Sequence, residues 1–131
     1  MKTPERGVKR ILVVEDEPAI GDLCQRILTR EGFEVDIAVN GKIAQYMIEK
    51  QQYDLLLLDI RMPVMNGKEL YQWLLEKHPQ LAGRVIFTSG SVISGATRIF
   101  LEQTGRPHLP KPFAAAELIT IVRETLTEVG K

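Results

Sequence analysis

An α/β fold with a five-stranded parallel sheet and helices on both faces is what the sequence predicts, on three observations. Short apolar runs alternate along the chain with longer stretches whose apolar residues recur at helical spacing. The third run, Leu55-Leu56-Leu57-Leu58, is apolar at every position, as a strand covered on both sides must be. The 131 residues, 44% hydrophobic and 26% charged, suffice for one core and leave no room for a second. No apolar run exceeds about four residues, so neither a membrane span nor a secretory signal is expected.

The first strand is Ile11-Leu12-Val13-Val14, which ends in the acidic run Glu15-Asp16-Glu17. Pro18 stands where a first helical turn tolerates it, and Ile20, Leu23, Cys24, Ile27 and Leu28 make an apolar stripe that stops at Gly32. Phe33 to Val39 alternates as a second strand, and Gly41 leads into a helix with Ile43, Ala44, Met47 and Ile48 on one side. The third strand ends at Asp59. Pro63 and Asn66-Gly67 mark a turn, after which a helix directs Leu70, Trp73 and Leu74 inward and stops near Lys77-His78-Pro79. A fourth strand over Arg84 to Thr88 precedes a Ser/Gly loop and a weakly patterned fourth helix over Thr97 to Gln103, closed by Gly105. The last strand is the short His108-Leu109, and beyond Pro110-Lys111-Pro112 a fifth helix gathers Leu118, Ile121, Val122 and Leu126. The folded unit is expected over residues 10–128, between tails at 1–9 and 129–131.

Five short strands separated by helices call for right-handed parallel crossovers, and five such units fit the flavodoxin-like order 2-1-3-4-5. Ligands of such sheets bind beyond the carboxyl ends of the strands. There stand Glu15 and Asp16 after the first strand, Asp59 after the third, Thr88 at the fourth and Lys111 after the fifth. Three carboxylates at one point repel each other, so a cation belongs among them. Oxygen donors without His or Cys suit a hard ion that keeps several waters, which favours Mg²⁺ over zinc. Lys111 adds a fixed positive charge and Thr88 a hydroxyl donor. A carboxylate nucleophile, a metal site, an ammonium and a hydroxyl are the parts that in-line phosphoryl transfer needs.

In these motifs the chain resembles the receiver domain of two-component response regulators, from about Arg10 to Glu128. Glu15-Asp16, Asp59-Ile60-Arg61-Met62-Pro63 with Gly67, Thr88-Ser89-Gly90 and Lys111-Pro112-Phe113 stand in that family's order. The resemblance implies that Asp59 accepts a phosphoryl group from a phosphohistidine on a sensor histidine kinase or phosphotransfer protein. It implies that Asp16, Asp59 and the backbone carbonyl of Arg61 ligate Mg²⁺, with Glu15 acting through water. Lys111 would pair with the carboxylate and then with a phosphoryl oxygen, and Thr88 would move to hydrogen-bond the acyl phosphate. A switching face is implied on the fourth helix, fifth strand and fifth helix, open to a protein partner or to a homodimer. A cis Lys111–Pro112 peptide is implied as well. The stretches Arg84 to Gly90 and Phe100 to Phe113 look especially like receivers fused to hybrid histidine kinases, so a free regulator and an excised receiver both stay open.

Three positions depart from the family's commonest pattern. His108 stands where an aromatic residue coupled to Thr88 is usual; it reads either as a strand-end His that simply packs or as a switch sensitive between about pH 6 and 8. Arg61 and Gly90, each two residues beyond a motif residue, imply slow self-dephosphorylation, because neither orients a hydrolytic water well. Elsewhere, Trp73 and Tyr71 read as core packing and partly exposed surface, Cys24 as a small core residue, and His78 as a helix-end cation. Met62 and Met65 are expected to pack under the Asp59 loop.

An FMN-binding electron carrier of the same fold would need a Ser/Thr/Gly-rich loop where this chain has Glu15-Asp16-Glu17-Pro18, which repels phosphate. An aspartyl phosphatase would commonly carry a second Asp where Arg61 stands. Formal net charge is zero despite the local Lys2, Arg6, Lys9 and Arg10, so no direct contact with nucleic acid or membrane is expected. With one cysteine there is no disulfide framework, and a cytoplasmic setting is expected.

Overall fold

The computed structural model describes residues 7–62, 64–90 and 94–130, with side chains as far as Thr127. Lys2, Arg6 and the turn residue Pro63 lie outside the described residues. Five parallel strands, β1 (Arg10–Val14), β2 (Glu34–Ala38), β3 (Leu55–Asp59), β4 (Val85–Ser89) and β5 (His108–Pro110), form one sheet in the order β2-β1-β3-β4-β5. The expected flavodoxin-like order is therefore the observed one.

Six helical segments connect them: α1 (Pro18–Arg30), α2 (Gly41–Lys50), α3 (Gly67–Lys77), α4 (Pro79–Ala82), α5 (Gly95–Thr104) and α6 (Ala115–Gly130). The sequence predicts five. Pro79 ends α3 as expected, but at a first helical position it also starts the single turn of α4. The predicted fourth and fifth helices are thus α5 and α6. Their weakest member is sharply bounded: the Ser94 side chain accepts the Thr97 N–H at one end of α5, and Gly105, at φ 66°, closes the other. α3 opens on a reciprocal capping box between Asn66 and Glu69.

Strand alternation divides the core between the two faces of the sheet. Leu12, Val14, Leu56, Leu58, Val85 and Phe87 pack with residues of α2, α3 and α5. Ile11, Val13, Leu55, Leu57 and Ile86 pack with Cys24 and Leu28 of α1 and with Leu118 and Val122 of α6.

Five expectations need correction. Leu23 is 45% exposed and Ile43 40% exposed rather than inward. Each lies at the edge of its helix's apolar stripe; Ile43 is about 100° around the axis from Ala44, the buried centre of α2. Tyr71, read as surface, is buried edge-on against Phe87 and Phe100, whereas Trp73 is only half-buried. β4 runs one residue later than Arg84 to Thr88, which brings Ser89 into the sheet.

Candidate functional site

The register brings the predicted residues together. β1 lies beside β3 with Val14 opposite Leu58, so the residues that follow, Glu15 and Asp59, meet at the same edge. Asp59 is itself opposite Thr88 on β4, and Ser89 is opposite Pro110 on β5, which delivers Lys111 to that edge. Glu15 and Thr88 line one narrow cleft with Ile20 and Cys24 of α1 and with Phe113, on the α1 and α6 side of the sheet.

Glu15 and Asp59 are buried, and the Lys111 ammonium bridges them, with Nζ 2.9 Å from Glu15 Oε1 and 3.1 Å from Asp59 Oδ2. The other Asp59 oxygen, Oδ1, accepts the Arg61 N–H at 3.1 Å. Glu15 Oε2 accepts the Glu17 N–H at 3.2 Å. The Lys111–Pro112 peptide is cis. Gly67 fixes the loop closely: a Cβ there would lie 2.6 Å from the Asp59 carbonyl oxygen and 2.8 Å from Ile60 Cα. Met62 is buried beneath this loop, and Met65 packs partly buried beside it, close against Gly41.

Burial pushes the Glu15 carboxyl up to about 7; the hydrogen bond from Lys111 opposes the rise and the charge on Asp59 adds to it. Burial pulls the Lys111 ammonium down, but its hydrogen bonds to Glu15 and Asp59 outweigh that and leave it raised. One ammonium therefore does not fully compensate the acids around it. Glu15, Asp16 and Asp59 each present a carboxylate oxygen within 4.8 Å of the others, a donor set of oxygen alone that fits a hard divalent cation such as Mg²⁺.

Thr88 is buried, opposite Asp59 in the register of β3 and β4. His108 stands half-buried at the start of β5. Its Nε2 lies 2.6 Å from Ser89 Oγ rather than against Thr88, because His108 and Ser89 share the strand parity opposite to that of Thr88. Burial, with Arg98 nearby, lowers its pKa from 6.5, so it stays neutral through the range above that value. Arg61 and Gly90 are exposed, and space is open around Gly90. Cys24 is a buried core thiol, pushed up to about 11 chiefly by burial. His78 contacts Glu49 at 3.0 Å and stacks against Trp73.

Sequence reasoning missed two participants. Glu17 adds a third carboxylate, 3.7 Å from Lys111 Nζ, and belonged to the acidic run already noted. Ser89 receives His108; its only sequence signal was its place next to Thr88.

A carboxylate and lysine pair ringed by acids, at the carboxyl edge of a 2-1-3-4-5 sheet, defines a class of doubly wound signalling domain. The chain belongs to the response regulator receiver domain family, whose model matches residues 11–123. It is 33% identical over 120 residues to the transcriptional regulatory protein CusR of Escherichia coli, covering 89% of this chain and 51% of that protein. It is 34% identical over 117 residues to the response regulator MprA of Mycobacterium avium, covering 89% and 50%. Among solved structures it resembles a CheY-like receiver domain protein of Methanospirillum hungatei, with TM-score 0.87, 32% identity and coverage of 95% and 98%. It also resembles the receiver of a signal transduction histidine kinase of Syntrophus aciditrophicus, with TM-score 0.84, 26% identity and coverage of 95% and 94%.

The chain spans about half the length of the curated relatives it matches. CusR is a transcriptional regulator, so the expectation of no direct contact with nucleic acid finds no support. Among the described residues no helix is long and apolar enough to cross a membrane. Family membership replaces the flavin-carrier and phosphatase alternatives.

Proposed function

We propose that this domain takes a phosphoryl group onto Asp59 from a phosphohistidine of a histidine kinase or phosphotransfer protein, and that the acyl phosphate resets a protein-binding face. The observation that carries the reading is the Lys111 ammonium held between two buried carboxylates, Asp59 and Glu15. An Asp59 carboxylate oxygen attacks phosphorus; the O–P bond forms as the P–N bond breaks, and that electron pair leaves with the imidazole. The Arg61 N–H and Lys111 fix the rotamer of Asp59 before attack. Lys111 then transfers its hydrogen bond from the carboxylate to a phosphoryl oxygen, and the Thr88 hydroxyl takes up another. Asp16, Asp59 and the Arg61 carbonyl would hold Mg²⁺, with Glu15 through water. When bound, the ion supplies positive charge to the transferring phosphoryl group.

The switching face is assigned to α5, β5 and α6, where a partner or a second copy docks. Exposed Arg61 and the absence of a side chain at Gly90 support a long-lived acyl phosphate, since neither position offers a group suited to orient a hydrolytic water. Output through a transcriptional module, as in relatives of twice this length, and relay within a hybrid kinase are the two contexts the comparisons favour, both in the cytoplasm. Incubation with acetyl phosphate and Mg²⁺, followed by intact mass, tests the chemistry. Wild type gains one base-labile phosphoryl adduct and Asp59→Asn gains none; an unmodified wild type would refute the proposal.

A further inference from the structure

Ser89 and His108 make a polar pair that the phosphoryl chemistry does not use, on the sheet face opposite to Thr88. Val85, Phe87 and Ser89 alternate toward the α5 side, and His108, paired in the sheet with Phe87, lies on that side too. Ser89 is 1% exposed, so its hydroxyl needs a protein partner. Two acceptors are within reach, His108 Nε2 at 2.6 Å and the Gly90 carbonyl at 3.3 Å. The longer contact lies beyond the usual O–H···O range, and the shorter one is closer than an N–H donor usually comes to oxygen. The single hydroxyl proton therefore points at Nε2, and the neutral imidazole carries its own proton on Nδ1. The Ser89 carbonyl meanwhile accepts the Lys111 N–H at 2.7 Å, so Ser89 holds both His108 and the lysine that touches Asp59.

From this arrangement we infer that Ser89 is a positioning residue for the α5, β5 and α6 face: its hydroxyl latches the His108 ring inward, and phosphorylation of Asp59 releases it. The trigger rests on the phosphoryl reading proposed above. Thr88 is opposite Asp59 in the sheet and reaches an acyl phosphate there by moving toward the Asp59 side. Ser89 follows through the planar peptide that joins them, and its side chain, on the other face, is drawn away from His108. A shift of about 1 Å stretches the 2.6 Å contact to a separation at which no hydrogen bond remains. The freed imidazole turns to solvent beside Arg98 of α5, where it adds one donor and one acceptor to the docking face.

Ring-nitrogen correlation spectra of the ¹⁵N-histidine-labelled protein at about pH 8 distinguish a proton on Nδ1 from one on Nε2. The chain has two histidines, and His78, held by Glu49, serves as the control. Free wild type should show His108 in the Nδ1–H form. With acetyl phosphate and Mg²⁺, and the modified fraction counted by intact mass, that form should be lost in proportion to the adduct while His78 stays unchanged. Ser89→Ala keeps the backbone bond to Lys111; it should still gain the adduct, yet show before and after it the Nε2–H form that solvated histidine favours. An Nε2–H ring in free wild type, an unchanged ring in Ser89→Ala, or a modified wild type that keeps the latched form overturns the inference. Absence of any adduct refutes the phosphoryl reading and takes the trigger with it, whereas the spectra of the free protein and of Ser89→Ala decide the latch independently.

Discussion

Replacing Lys111 by Met keeps the length and apolar stem of the side chain and removes the charge that Glu15 and Asp59 share. The ammonium is 14% exposed and its partners 3% and 5%, so the carboxylates cannot recover their lost partner from bulk water. Removing one member of such a buried pair costs about 3–5 kcal/mol, and the partial exposure of Lys111 points to the lower end, about 3 kcal/mol. The effect depends on pH in a definite sense. The folded Glu15 has its pKa raised from 4.5 to about 7, so its stabilising form is the protonated one, complete below 4.5 and lost as pH rises through about 7. Without Lys111 that pKa rises further, so the decline above pH 7 steepens. At about pH 5.5 wild-type Glu15 is already neutral, only Asp59 loses its partner, and the deficit falls to about 1–2 kcal/mol. Urea unfolding followed by Trp73 emission in EDTA reads both values. With a slope of about 1.5 kcal/mol/M, the midpoint falls by about 2 M at pH 8.5 and by about 1 M at pH 5.5. An equal fall at the two pH values, or a variant more stable than wild type at pH 8.5, would refute the reasoning.

The same cluster predicts that Mg²⁺ raises the melting temperature more at pH 8 than at pH 6, because binding favours the ionised Glu15; Asp59→Ala should remove most of the increment, as differential scanning fluorimetry would show. Gly67→Ala forces a Cβ against the Asp59 and Ile60 backbone and should destabilise by about 1–3 kcal/mol while slowing modification by acetyl phosphate. Gly90→Ala, in open space, should change the unfolding midpoint little. Because the His108 pKa is lowered on folding, its contribution to stability is present above 6.5 and lost as pH falls below it. His108→Phe should flatten the acid side of the stability profile below pH 6.5, and an unchanged slope would remove His108 as its source.

The strand ends were legible because each motif residue terminates an apolar run. Val14 to Glu15 and Leu58 to Asp59 are abrupt changes from buried to charged, and a parallel sheet of order 2-1-3-4-5 places such changes at one edge. The helices were legible in type, yet Leu23 and Ile43 were turned the wrong way, since hydrophobicity does not say how wide a stripe the sheet will cover.

By itself the sequence determined the five strands and their order, the five longer helices, and the identity of Glu15, Asp16, Asp59, Thr88 and Lys111 as one edge cluster, because hydrophobic period and chain connectivity are local properties. Only the tertiary structure decided that Lys111 bridges Glu15 and Asp59, that burial lifts Glu15 to about 7, and that His108 holds Ser89 rather than approaching Thr88. Each of those depends on which face of a strand a side chain takes and how much water it keeps, and residues distant in the chain set both.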